Sequence, residues 1–175
     1  MPATPRFLAS YMLARERGFT WIELMFVVAI IGILSLMAVP GIQENMLKTQ
    51  VKEALELATL AKKGVQDAWT ATSEMPNNNA AAGIPPKHKI VGNLVKEVSV
   101  KDGAITLTLG NNASKNLENK KVTLRPAVVA GEPTVPIAWV CHNVPVPNGM
   151  EPKGANETDI EPKYLPIECR GGPAK

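Results

Sequence analysis

Two hydrophobic patterns divide the chain, and the first predicts a membrane segment. Between residues 19 and 42 the only polar side chains are Thr20, Glu23 and Ser35, and the stretch 24–39 carries no charge. Such a run reaches the roughly 20 residues that span the hydrocarbon of a bilayer as an α-helix. The pattern therefore predicts a transmembrane helix near the N-terminus.

A helical period continues past the membrane segment to about Thr72. Apolar residues recur there mainly at spacings of three, four or seven: Ile42, Met46, Val51, Leu55, Ala58, Val65 and Trp69. We expect one helix from about Phe19 to Thr72, its second half being residues 43–72. Interruptions are expected at Pro40, Gly41 and Gly64. Exposed charges interact weakly with one another, and a solvated face is expected to carry Lys52, Glu53, Glu56, Lys62 and Lys63.

Alternation replaces the helical period in the second half of the chain. Residues 75–89 have no period and contain paired prolines, so they are predicted to form a surface loop. Strands are then predicted at residues 94–100, 104–109, 122–125 and 137–141. The first two flank an Asp-Gly pair, Asp102-Gly103, which is a strong hairpin signal. The predicted fold is α+β: a long N-terminal helix packed on a roughly four-stranded antiparallel sheet over residues 94–142.

Charge and length limit the class of protein. The chain has 175 residues, 19 of them basic and 16 acidic, with a net charge of +3. One domain beyond the membrane segment, residues 43–175, fits this length. The balance is far from the dense basic face of a non-specific nucleic-acid-binding protein. A modest basic group, Lys115, Lys120, Lys121 and Arg125, is expected to be a solvated face, because no aromatic residues interleave with it.

The flanking charges predict export of the domain, and the cysteines fit that prediction. Three arginines and one glutamate precede the apolar run, and this positive flank keeps the N-terminal end in the cytoplasm. The rest of the chain then enters an oxidising compartment, where Cys141 and Cys169 are expected to form a disulfide. Their bond would close a proline-rich loop over residues 141–169 and constrain the unfolded chain by roughly 3–4 kcal/mol.

No chemical constellation predicts catalysis. The two histidines, His88 and His142, belong to no metal-ligand spacing and are expected at the surface. Neither an activated nucleophile nor a phosphate-binding loop is evident in the sequence. The sequence therefore indicates a protein that is not an enzyme and that has no catalytic residue, metal or cofactor.

The segment Gly18-Phe19-Thr20-Trp21-Ile22-Glu23-Leu24, followed by MFVVAIIGILSLMAVP, resembles the class III signal of type IV pilins. The resemblance implies a leader of residues 1–18, cut after Gly18 by a prepilin peptidase that then N-methylates Phe19. Glu23 corresponds to the family's assembly glutamate. Gly32 and Pro40 correspond to the positions where the transmembrane helix, residues 19–42, loosens in the filament. The C-terminal disulfide region is similar to that of type IV pilins too.

An unpaired charge at the middle of a membrane costs about 2.5–3.5 kcal/mol. Glu23 is therefore expected either to reach the headgroups at the cytoplasmic edge of the membrane or to meet a cation that another chain supplies. A methylated amine on Phe19 stays cationic and could neutralise Glu23 of a neighbouring subunit. The start of translation is open between Met1 and Met12, and the resemblance favours Met12 because it gives a shorter leader. A start at Met12 keeps two of the three arginines, Arg15 and Arg17, beside the apolar run and so preserves the orientation signal.

The resemblance implies a structural subunit of a type IV pilus, with adhesion, twitching motility and DNA uptake as its roles. Its partners would be other copies in a helical homopolymer, the prepilin peptidase, the assembly machinery of the inner membrane, and the membrane itself before assembly. The precursor would lie in the inner membrane of a Gram-negative bacterium and the product in an extracellular filament. Two alternatives are a minor pilin that binds DNA or a surface, for which the basic group is the only support, and a type II secretion pseudopilin, which usually lacks this disulfide.

Overall fold

The computed structural model describes residues 18–171 and, for residues 37–40, the backbone alone. The chain divides into two compact units between residues 39 and 40. The helices are α1 (Trp21–Glu56) and α2 (Ala58–Thr72). The strands are β1 (Val95–Lys101), β2 (Ala104–Leu109), β3 (Lys121–Val128), β4 (Ala138–Cys141) and β5 (Glu151–Pro152). Short 3₁₀ helices lie at Lys87–Lys89, Pro162–Tyr164 and Ile167–Cys169.

The predicted long helix is present, but its interruption lies at Leu57. There the Leu57 N–H donates to the Ala54 carbonyl at 3.2 Å, a tighter i to i−3 bond than an α-helix has. The backbone is helical at all three residues predicted to interrupt it, so that prediction is wrong: Pro40, Gly41 and Gly64. A helical glycine costs about 1 kcal/mol and a proline about 3 kcal/mol. These costs do not end a long, otherwise favourable helix.

One face of the helical segment builds the core of the second unit. Its buried residues follow the helical period: Leu47, Val51, Ala54, Ala58, Ala61, Val65 and Trp69. The α2 part of this face packs on β1 and β2. Ile42 and Met46, which were predicted to begin the face, are 67% and 59% exposed. The buried face begins instead at Leu47, one residue after Met46.

The sheet has the order β1-β2-β3-β4, with every neighbouring pair antiparallel. The predicted hairpin joins β1 to β2, and both turn residues, Asp102 and Gly103, have positive φ angles, of 50° and 80°. This is the backbone twist that a two-residue hairpin requires. The Gly103 N–H also donates to the Pro76 carbonyl at 2.8 Å, so the turn is tied to the segment that follows α2.

The segment 75–89 was predicted to be a surface loop. Many of its residues are exposed, but Asn79 anchors it inside the domain. The Asn79 side chain is 8% exposed. Its Nδ2 donates to the Val98 carbonyl at 3.0 Å, and its Oδ1 accepts the Val100 N–H at 2.7 Å. The side-chain amide thus takes the place of a neighbouring strand along the outer edge of β1. Covering an edge in this way removes a template for unwanted strand pairing.

The segment enclosed by the cysteines is tied to β3 along most of that strand. β5 pairs with Ala127 and Val128, and the Lys153 N–H donates to the Pro126 carbonyl at 2.8 Å. Farther along, the Thr123 N–H donates to Thr158 Oγ1 at 3.0 Å. The sequence predicted little strand structure here, and the segment gains its order from β3 as well as from the disulfide.

Candidate functional site

Thr20 caps the first turn of α1 and positions Glu23. The Glu23 N–H donates to Thr20 Oγ1 at 3.3 Å, and the Leu24 N–H donates to the Thr20 carbonyl at 3.2 Å. Glu23 is the acidic residue of this first turn, where the partial positive charge of a helix N-terminus favours a carboxylate. The Glu23 side chain is exposed, and no ion pair among the described residues involves it. The carboxylate is therefore free to meet another chain.

The helix around Glu23 is apolar and wholly uncovered. Every residue from Trp21 to Leu36 is exposed, and Phe19 is 78% exposed. By length and composition the helical segment is able to cross a membrane, and none of its most apolar window is buried. Exposing so long an apolar surface to water is unfavourable in free energy, so this segment needs a membrane or other chains around it.

Gly32 and Pro40 have helical backbones in the single chain. An added Cβ at Gly32 would meet nothing within 4 Å, so its small size serves no contact within this chain. The nearby Ser35 hydroxyl donates to the Ile31 carbonyl at 2.7 Å. The loosening of the helix at Gly32 and Pro40 stays a prediction about the filament. Gly18 and Phe19 precede α1, whereas Met1 and Met12 lie outside the described residues.

The predicted disulfide between Cys141 and Cys169 is present, with the two Cα atoms 5.0 Å apart. Both cysteines are buried, at 5% and 3% exposure. Cys141 ends β4 and Cys169 ends the last 3₁₀ helix. The bond therefore fixes the C-terminal segment to the edge of the sheet.

A groove of about 360 Å³ lies beside the disulfide, between the helical segment and β4. Lys62 and Trp139 both line it, and Lys62 Nζ lies 5.6 Å from the centre of the Trp139 ring. Burial lowers the pKa of Lys62 below its usual value. Contact with a ring face favours the ammonium form, but at this distance the contact is weak and desolvation decides the direction. Lys62 is thus half-buried, unlike the other four charges of the predicted solvated face, and the sequence holds no sign of this.

The basic group does not form a free cationic stripe. Lys121 Nζ lies 3.1 Å from Glu157 Oε2, and Lys120 Nζ lies 4.0 Å from Asp159 Oδ2. Arg125 is half-buried, and its Nη2 donates to the His142 carbonyl at 3.2 Å. The side chains of Lys120 and Lys121 are similarly exposed, at 46% and 44%, and Lys115 is exposed, so the solvated face predicted for the basic group holds for these three lysines. It is wrong for the half-buried Arg125.

The histidines lie apart, at the loop after α2 and at the end of β4. His88 is exposed as predicted, whereas His142 is half-buried and its Nδ1 atom is covered. Within residues 18–171, no three His, Cys, Asp or Glu side chains are grouped so that they could hold a metal ion.

Comparison with known proteins finds a family match in each of the two units. Residues 48–170 match the pilin family of bacterial filaments, and residues 13–39 match the prokaryotic N-terminal methylation motif. The type IV major pilin protein PilE of Neisseria gonorrhoeae is 34% identical over 161 residues, 89% of this chain and 94% of that protein. A fimbrial protein of Neisseria meningitidis is 34% identical over 164 residues, with the same coverage of both chains.

A more distant relative, the fimbrial protein EcpC of Eikenella corrodens, is 32% identical over 158 residues, 89% of this chain and 91% of that protein. The methylation match includes Gly18, Phe19, Glu23 and Gly32, and the pilin match includes the sheet and both cysteines. The chain therefore belongs to the pilin family, as a structural subunit of a type IV pilus.

Proposed function

We propose that this pilin is cut between Gly18 and Phe19, methylated on the Phe19 amine, and polymerised through the Glu23 carboxylate. The observation that carries the proposal is the geometry around Glu23. Its side chain is exposed in the first turn of an apolar helix that nothing in the chain covers. Filament formation buries this helix among other copies, and it then places the carboxylate where water cannot solvate it.

The partner of Glu23 is then the methylated N-terminus of an adjacent subunit. An unpaired carboxylate in an apolar interior is strongly unfavourable, whereas a paired one sets the register between two chains. The amine of Phe19 stays cationic after methylation. In this arrangement the pairing selects one axial position of each incoming subunit, and the apolar surface supplies most of the binding free energy.

The proposed route from precursor to filament gives each part of the chain its own role. Residues 1–18 are the leader, residues 19–42 anchor the precursor in the inner membrane of a Gram-negative bacterium, and residues 43–175 fold outside the cytoplasm. The assembly machinery of that membrane then transfers the subunit to an extracellular filament. We assign adhesion, twitching motility and DNA uptake to the assembled filament.

The two alternatives are not favoured. A DNA-binding minor pilin relied on the basic group, and that group is largely engaged within the chain: Lys120 and Lys121 by carboxylates and Arg125 by the His142 carbonyl. A type II secretion pseudopilin would usually lack the disulfide that joins Cys141 to Cys169.

Replacing Glu23 by alanine tests the proposal. The variant should be cut and methylated normally, since the cleavage site is unchanged, but filaments should be sparse or absent by electron microscopy. The matched control is Glu44→Ala, an exposed glutamate of the same helix whose contact is with its own Lys48 at 3.7 Å. Normal piliation of the Glu23 variant would contradict the pairing. Mass spectrometry of wild-type filaments that found an N-terminus other than methylated Phe19 would contradict the processing step.

A further inference from the structure

An exposed turn, residues 147–150, lies in the segment enclosed by the cysteines. The Met150 N–H donates to the Pro147 carbonyl at 3.1 Å. Gly149 takes the third position with φ +82°, the conformation that favours glycine in such a turn. Both Asn148 and Gly149 are exposed. Among the described hydrogen bonds, neither the Gly149 N–H nor the Asn148 amide takes part in one.

Asn148 is the only asparagine of the chain that is followed by glycine. Glycine leaves its own backbone nitrogen the least hindered of any residue, because it has no Cβ. Most other asparagine side chains are held by hydrogen bonds: Asn45, Asn78, Asn79, Asn93, Asn111, Asn112, Asn119 and Asn156. Asn148 thus combines a free amide, an accessible nucleophile and a solvated position.

We propose that Asn148 is a site of spontaneous deamidation that marks the age of the subunit. The Gly149 backbone nitrogen attacks Asn148 Cγ and loses its proton. The bond from Cγ to Nδ2 breaks, and ammonia leaves. Water then opens the resulting five-membered succinimide at either carbonyl, which gives aspartate or isoaspartate. Every atom is accounted for by the side chain, one water molecule and the released ammonia.

The chain holds a comparable pair that the structure protects. Asp102-Gly103 could form the same succinimide by loss of water, but the Gly103 N–H donates to the Pro76 carbonyl at 2.8 Å. A Cβ at Gly103 would lie 2.7 Å from Met75 Sδ, so this turn has little room to move. The nucleophile of the hairpin turn is therefore engaged, whereas that of the 147–150 turn is free.

The product would differ from the original chain in charge and, for isoaspartate, in backbone length. Each event adds one negative charge to an exposed surface of the subunit. Isoaspartate also inserts a methylene into the main chain only three residues before Glu151, which pairs with Val128 of β3. No new subunit is synthesised outside the cell to replace an old one. The modified fraction of Asn148 should therefore grow with the time since assembly.

Timed incubation of the purified full-length pilin at neutral pH and growth temperature, followed by peptide mass spectrometry, tests this. Asn148 should convert first, with the small mass gain of an amide that becomes an acid, while Asn156 of the same enclosed segment stays intact. Gly149→Ala should slow the conversion by roughly tenfold, because a Cβ hinders the attacking nitrogen. Asn148→Gln should abolish it on the same timescale.

A chain unfolded in urea provides the reference rate. The inference fails if Asn148 stays unmodified in the folded pilin while it converts in urea, because the turn would then protect it. It also fails if Asn156 or another hydrogen-bonded asparagine converts as fast as Asn148. Neither result depends on filament assembly, so this inference and the proposed function can fail separately.

Discussion

Two adjacent lysines of α2 have different surroundings. Lys63 is exposed, whereas Lys62 is half-buried, and its ammonium lies over the Trp139 ring. The helix sends neighbouring side chains in directions about 100° apart, so only one of the two reaches the sheet. This placement lowers the pKa of Lys62, and it does so by removing water rather than by adding a partner.

The lowered pKa of Lys62 makes stability depend on pH in a defined direction. Above the folded-state pKa the native chain has lost this proton, while the unfolded chain keeps it up to about 10.5. The unfolded state then binds more protons, so the free energy of unfolding rises with pH through that window and is flat below it. Urea unfolding over a pH series should show this rise, and Lys62→Gln should remove it. The rise in the free energy of unfolding should persist in the control variant Lys63→Gln. If Lys62→Gln shows the same rise as the wild type, the prediction is contradicted.

Contacts between elements depend on a glycine of α2. A Cβ at Gly64 would collide with the Ala82 carbonyl oxygen and lie 2.7 Å from Ile84 Cγ2. The segment 75–89 can therefore lie directly on the helix, and Asn79 ties the same segment to β1. The helix tolerates this glycine because the close contact with the loop offsets its low helix propensity.

Gly64→Ala should destabilise the fold by about 1–3 kcal/mol, the usual cost of forcing an extra carbon into a packed contact. Gly41→Ala is the matched control, because an added Cβ there meets nothing within 4 Å. It should leave stability unchanged or raise it by roughly 0.5–1 kcal/mol, the gain in helix propensity. Thermal unfolding of both variants measures the difference. Equal midpoints would show that the loop yields to the new methyl group.

Local signals predicted the elements that local chemistry determines. The Asp102-Gly103 turn and the two alternating runs beside it were sufficient for the hairpin, and the long apolar run was sufficient for the N-terminal helix. The short β5 and the anchoring of Asn79 depend on partners far away in the sequence. Nothing in an asparagine run or a proline-rich stretch identifies which strand will accept it, so these features were missed or wrong.

The chain as a whole combines an N-terminal methylation motif with a domain whose C-terminal segment is held by a disulfide. The roles of Gly18, Phe19 and Glu23 stay predictions, and they rest on a short local pattern that lies within the matched methylation motif, residues 13–39. The disulfide could be predicted from the export of the chain. The Lys62 groove could not, because it forms only when α2, β4 and the last 3₁₀ helix meet. A feature that depends on packing between distant elements thus leaves no local pattern in the sequence, whereas the methylation motif is such a pattern.

The disulfide should set the stability of the whole second unit, because it closes 28 positions of chain. In the chain-entropy account a closure of that size is worth roughly 3–4 kcal/mol. The double variant Cys141→Ser, Cys169→Ser should lose about this amount in urea unfolding of the full-length chain, and pilin levels in the cell should fall through proteolysis. Hydrogen exchange should show the loss of protection first at the Lys153 and Asp159 N–H groups, which donate to the β3 carbonyls of Pro126 and Lys121. Chemically reduced wild-type protein is the control and should behave in the same way. If reduction leaves both the unfolding midpoint and this protection unchanged, the contacts with β3 suffice to hold the segment and the disulfide is dispensable for its fold.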